Sequence, residues 1–171
     1  MTSEIDKAGD QLASTLEQLI SLADGGSEQE LATLVSSLHP ADVAEAIDLL
    51  ERAEARNRVF GVLAPDSAAQ VLSLISPLSR EKILQDLSED RVRSILEHLD
   101  SDDAADLLAS VPNERAQSIL AGLPGPLSAR IQQLLRYPGD TAGGLMQTEY
   151  AAVLEGATVE ETVEIVRTLA E

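Results

Sequence analysis

An all-α protein, a right-handed superhelix or α-solenoid of about ten short helices, is the fold class this sequence predicts, and three observations predict it. Ile47, Val59, Val71, Ile83, Ile95, Leu107, Ile119 and Ile131 recur at a constant spacing of twelve. Four residues after each stand Glu51, Leu63, Ile75, Leu87, Leu99, Val111, Leu123 and Leu135, seven of the eight apolar. Because positions i and i+4 share a helix face, each unit reads as one short amphipathic helix and its turn. The boundaries between units, "HPAD", "APDS", "SPLS", "LSEDR", "LDSDD", "VPNE" and "LPGP", supply proline for a first turn, Ser or Asp for a cap, and early acids that complement the amide dipoles. Helices of two to three turns are unstable alone. Each must bury its stripe against its neighbours, and such nearest-neighbour stacking makes a solenoid.

Ahead of the array, residues 3–23 ("SEIDKAGDQLASTLEQLISLA") form a further amphipathic helix ended by "DGG". Residues 27–38 make another, with Ser27 and Glu30 spaced as a capping box. The helical domain then runs over 1–137. A joint over 138–145 breaks helix through Pro138, Gly139, Gly143 and Gly144. In the last stretch, 146–171, "EYAAVLE" reads as a strand, "GAT" as a turn, and "TVEETVEIVRTLAE" as a helix capped by Thr158 with Glu161 at its third position. One strand and one helix cannot make a domain, so this stretch reads as the opening of one.

Composition narrows the function. With 44% apolar residues in 171 the chain can bury a core, and that core must be aliphatic, since Phe60, Tyr137 and Tyr150 are the whole aromatic content. Twelve basic residues against thirty acidic give a net charge of −18, which repels phosphate backbones and anionic lipid and favours cations or a basic partner. Nucleic acid is excluded as a partner, also because stacking platforms need aromatic rings. No cysteine is present, so thiolate catalysis, zinc-cysteine sites and disulfides are ruled out. No apolar run reaches the roughly 20 residues that cross a bilayer, and the start "MTSEIDKAGD" is no signal peptide. The expectation is a cytoplasmic chain without direct membrane insertion. No Ser or Thr sits in a nucleophile elbow or beside a His-Asp pair, so no enzyme is expected.

"LHPADVAEAIDLL", "DSDDAADLLASV" and above all "YPGDTAGGLMQTEYAAV" resemble the cytosolic amino-terminal part of the MgtE family of magnesium transporters and channels. The resemblance runs from about Leu38 to the end, and its most specific element is the run Asp140 to Met146. Flagellar motor switch proteins carry a related helical domain but lack this joint. The resemblance implies that 146–171 opens the first of two CBS domains, followed in the family by a plug helix and a membrane pore, in a homodimeric protein. It also implies magnesium sensing: plentiful ion bridges carboxylates between helical and CBS domains and holds the pore shut, and scarcity lets the acidic faces separate.

Asp100, Asp102, Asp103 and Asp106 cluster at one helix start. Asp102 and Asp106 are four apart, so their carboxylates project from one face and could share a hydrated cation. The plainer reading has Asp100 as cap, Asp102 and Asp103 facing the helix dipole, and Asp106 as a solvated acid. The resemblance implies a magnesium site of Asp102 and Asp106, with Asp103 as an additional ligand. Gln70 stands where the family often has glutamate, which removes one charge from that surface. With the CBS side absent, Mg2+ binding by this chain should be weak. Asp140 either caps the turn after it or lies near CBS acids. Gly143 and Gly144 supply positive φ or close backbone approach, with no following Lys or Arg to make a phosphate loop. His39 reads as a structural residue of a helix start, His98 as solvated, and Tyr137 as packing the last solenoid helix onto the joint.

Three functions compete at this level. A magnesium-responsive regulatory domain predicts cation dependence; a helical adaptor predicts a protein ligand; a flagellar-switch-like module predicts head-to-tail polymers. The stripe of Val159, Val163, Val166 and Leu169 has nothing in the sequence assigned to cover it. The end of the chain is expected to be poorly ordered or to pack on a second copy.

Overall fold

The structure, a computed structural model, describes the backbone of residues 2–139, 141–146, 148 and 151–169 and, within these, the side chains from 13 to 168. The expected roles of Asp140, Glu149, Tyr150 and the Leu169 side chain lie outside the described residues. Ten helices precede the joint: α1 Thr2–Gly25, α2 Glu28–Ser37, α3 Pro40–Leu49, α4 Ala53–Gly61, α5 Pro65–Leu74, α6 Pro77–Asp86, α7 Glu89–Leu96, α8 Ser101–Ala109, α9 Asn113–Ala121 and α10 Gly125–Leu134; α11, Val159–Leu169, follows it.

All eight residues of the twelve-residue register are buried, none more than 2% exposed. Their partners differ from the expected ones. Helices α3 to α10 are only 8 to 10 residues long, so Leu63, Ile75, Leu87, Leu99, Val111, Leu123 and Leu135 fall at or beyond the helix ends. There they tuck inward and close each end with an apolar contact. The helical stripe is completed instead by the residue directly after the register position: Phe60, Leu72, Leu84, Leu96, Leu108 and Leu120 are each at most 2% exposed.

Helices alternate between two layers. α3 packs on α5, α5 on α7 and α7 on α9, while α4 packs on α6 and α8 on α10. The repeating unit is therefore a helix pair of twenty-four residues, and polar ties repeat at that period. Arg91 donates to the Leu63 carbonyl, and Arg115, twenty-four residues on, donates to that of Leu87. Each guanidinium meets backbone oxygens that a helix end leaves unpaired. Arg56, itself buried, does the same locally for Leu50 at 2.7 Å and Glu51 at 3.1 Å.

Capping follows the boundary signals unevenly. His39 Nδ1 accepts from the Ala41 amide at 3.2 Å, so this histidine is the α3 cap. Ser76 and Ser88 cap α6 and α7. Ser27 forms no side-chain cap and the expected box with Glu30 is not made. Thr158 and Glu161 do form one, each accepting from the other's amide, at 2.8 Å and 3.3 Å.

Asp48 of α3 reaches across to the start of α6, accepting from the Ser76 amide at 3.0 Å and the Ser76 hydroxyl at 2.8 Å. Burial pushes its carboxyl up, but the hydrogen bonds from Ser79 and Ser76 outweigh that and hold it below its ordinary value of 3.8. A depressed folded value means stability that is present above the unfolded value and lost as pH falls through the folded one. Acid titration of Asp48→Asn should thus show its stability deficit shrinking as pH falls below the ordinary carboxylate range. A deficit independent of pH would remove the carboxylate's charge from the cross-helix cap.

After α10 the chain makes a compact turn. Thr141 N donates to the Pro138 carbonyl at 3.0 Å, and Gly144 N and Leu145 N donate to the Thr141 carbonyl at 3.0 and 3.1 Å. No glycine among the described residues has positive φ. Close approach is what this turn requires: a Cβ on Gly143 would sit 2.7 Å from the Tyr137 ring, and one on Gly144 would strike the Pro138 carbonyl and lie 2.8 Å from Gly139 Cα. Tyr137 thereby packs onto the joint. Of the expected strand over 149–155, residues 151–155 are described and form none, since a strand exists only by pairing. On α11, Val159, Val163 and Val166 of the stripe the sequence showed stand 42–81% exposed, and Ile165 beside them 36%.

Candidate cation-binding site

Helix α8 brings the candidate acids together because its first turn is almost wholly polar while Ala104, Ala105, Leu107 and Leu108 on its other face are buried. Asp100 holds the N-cap position, with its carbonyl accepting from Ala104 N at 2.9 Å, but its side chain makes no capping bond. The capping role read for it belongs to its backbone alone.

The three candidate ligands divide between two faces. Asp103 is exposed and accepts from the Ser73 hydroxyl of α5 at 3.1 Å. It lines an open groove with Gln70, His39 and His98. Asp102 and Asp106 lie one turn apart on a shared face of α8, as their spacing predicts. Asp106 is exposed, and a methyl group placed on Gly139 would lie 3.8 Å from its Oδ1. Asp102 is half-buried, and its Oδ1 is withdrawn from solvent with no protein partner. A carboxylate oxygen so placed costs about 1–3 kcal/mol or more unless something satisfies it. Gln70 thus belongs with Asp103, one face away from the pair.

Two further residues of the site carry no signal in the sequence. Ser101, the first residue of α8, is fully buried, and its hydroxyl meets the Thr148 hydroxyl at 2.7 Å while accepting from the Thr148 amide at 3.4 Å. These residues are forty-seven apart, and no local pattern marks either.

Two carboxylates on one face suit a hard divalent cation. Magnesium takes six oxygens in near-octahedral geometry and keeps several waters, so one or two protein carboxylates are a usual share. Among the described residues no three His, Asp or Glu side chains converge as a complete metal site. Asp102 and Asp106 by themselves could offer such an ion two carboxylates at most. Residues 38–140 match the family model described as the MgtE intracellular N domain.

The chain belongs to the MgtE intracellular N domain family. A 39-residue stretch is 54% identical to the magnesium transporter MgtE of Thermus thermophilus, covering 23% of this chain and 9% of that protein. The fold superposes on a crystal structure of the cytosolic domain of the Mg2+ channel MgtE in complex with ATP, with TM-score 0.81 and 37% identity over 91% of this chain and 63% of the other. It also superposes on the soluble part of a magnesium transporter, with TM-score 0.76 and 20% identity over 93% and 62%. That second likeness concerns the fold alone. The chain thus spans under two thirds of the solved chains and a small fraction of the curated transporter. No described helix is long and apolar enough to cross a membrane.

Proposed function

We propose that this MgtE N domain is a magnesium-sensing regulatory part of a magnesium transporter or channel, acting at the cytosolic face of the membrane. It binds the ion through Asp102 and Asp106 and so gates transport. The observation that carries this reading is the solvent-excluded, unpartnered Oδ1 of Asp102 one helical turn from Asp106. Around it lies a chain of net charge −18, whose crowded carboxylates repel until a divalent ion screens them. The facing oxygens come from CBS domains of the same protein, which leads on to the pore and pairs as a homodimer. Asp103, already held by Ser73 and faced by the uncharged Gln70, is the weaker contributor.

In protein that includes both CBS domains, magnesium should compact the molecule, read by small-angle scattering, and slow its proteolysis. Joint replacement of Asp102→Ala and Asp106→Ala should move the midpoint to higher magnesium. The 171-residue chain alone, holding half a shell, should bind at millimolar strength or weaker by calorimetry. An unchanged midpoint in the double variant would remove these residues from sensing, and micromolar binding by the short chain would contradict the half-shell.

A further inference from the structure

The helical repeat buries its large apolar residues with one local exception. Among the described side chains of α1 to α10, only Leu49, Leu74 and Leu78 are large, apolar and exposed, at 56%, 53% and 62%. They gather around one cross-helix tie. Asp48 of α3 holds the start of α6 through the Ser76 amide and hydroxyl; Leu49 follows Asp48, and Leu74 and Leu78 stand two residues to either side of Ser76. Leu49 and Leu74 also line a groove of about 370 Å3 between α3 and α5, together with Ala41 and Ala44.

Two of these leucines break the repeat. Five residues before the register position, six of the eight units carry an acid, Asp42 and Asp66 among them. In α6 that place is taken by Leu78, and its first turn holds no acid. Two residues after the register position, seven units carry Gly, Ala, Ser, Gln or Glu, and α3 carries Leu49. Neither leucine belongs to the core. A single exposed leucine is ordinary, but three around one groove make a surface suited to being covered.

Charge decides what covers it. Glu45 and Asp48 line the groove, and no Lys or Arg does. A second copy would bring its own net charge of −18 to this acidic rim, and anionic lipid or nucleic acid would meet it with the same sign. A segment with leucines on one side and Lys or Arg beside them gains twice, since apolar area leaves water and cations reach Glu45 and Asp48.

We infer that the groove between α3 and α5 is a docking site for a basic amphipathic helix of a partner protein, with Leu49, Leu74 and Leu78 as its apolar contact and Glu45 and Asp48 as its charged one. It shares no residue with the candidate cation site and needs no metal ion.

The probe is a synthetic helix of leucine and lysine with its leucines at i, i+3, i+4 and i+7, titrated into the 171-residue chain by fluorescence anisotropy at constant ionic strength. It should bind more tightly than a shuffled peptide of the same composition and than its glutamate counterpart, and it should shift the amide resonances of Leu49, Leu74 and Leu78. Joint replacement Leu49→Ser, Leu74→Ser and Leu78→Ser should weaken binding by about tenfold or more with helical circular dichroism unchanged. Should that variant fail to fold, Leu78→Asn alone should still weaken binding measurably. Glu45→Gln should weaken it more than Glu114→Gln, which removes the same charge from α9. Equal affinity for the ordered and shuffled peptides, or equal losses in the two Gln variants with none from the leucine replacements, would reduce the contact to unspecific attraction and overturn the proposal. Sedimentation showing self-association without peptide that the leucine replacements abolish would assign the patch to a second copy and overturn the basic partner.

Discussion

Replacing Ile95 by alanine is expected to lower the unfolding free energy by about 2–5 kcal/mol, the cost of deleting a fully buried large aliphatic side chain. Ile95 is fully buried on α7, which packs between α5 and α9 in the middle of its layer. A residue in a terminal helix could be excised by local fraying, but a gap at the centre cannot be relieved without parting two interfaces. The short helices beside it cannot shift to refill the space, since Leu96 on the same helix and Leu72 and Leu120 on the flanking ones are already at most 2% exposed. Chemical denaturation should show the loss as a lower midpoint with little change in slope. Glu114→Gln at an exposed first-turn position should stay within about 0.5 kcal/mol. If both variants cost the same, the register residues are not what holds the stack.

Much of this architecture is legible because the twelve-residue spacing is a packing constraint that eight successive register residues obey. One position of the stripe differs from its expected place for an identifiable reason. Leu63, Leu87 and Leu99 are as periodic as Phe60, Leu84 and Leu96, and sequence alone does not show that the helix has ended before the first set begins. Caps divide similarly. Thr158 and Glu161 form their box, while Ser27 with the same spacing does not, since the box needs both side chains to turn inward. At the candidate site the pairing of Asp102 with Asp106 follows from helical geometry, and the separation of Asp103 follows from it too. What could not be read is the docking of Thr148 on Ser101. That contact depends on where the solenoid's curvature brings the chain after ten helices, and no local pattern encodes such a sum.

Arg58→Ala should produce the second large loss, about 2–4 kcal/mol, and an uneven one. From α4, the guanidinium donates Nη1 to the carbonyls of Leu22 at 3.2 Å and Ala23 at 2.7 Å, and Nη2 to that of Gly26. Leu22 and Ala23 lie in the last turn of α1 and Gly26 directly follows it, and that helix has no basic residue in its own last turn. Arg58 therefore adds donors at this helix end, where Leu22 already accepts from the Gly26 amide at 2.8 Å, and supplies the positive charge its dipole favours. Hydrogen bonds to a charged group are worth about 1.5–3 kcal/mol each and do not add fully, which sets the expected range. Lysine should restore little, because one ammonium on a flexible stem cannot span three carbonyls as the planar fork does. Arg52→Ala is the control: its bond to Asp24 spans 3.4 Å with the two side chains 62% and 47% exposed, and such a pair is worth about 1 kcal/mol at most. Because neighbour contacts dominate a solenoid, native-state hydrogen exchange on Arg58→Ala should rise in α1 and α2 and stay unchanged in α7 to α10. A uniform rise across all ten helices would mean that the stack unfolds as one unit and that the clasp acts on the whole of it. A loss no larger than that of Arg52→Ala would mean that water serves those carbonyls as well as the guanidinium does.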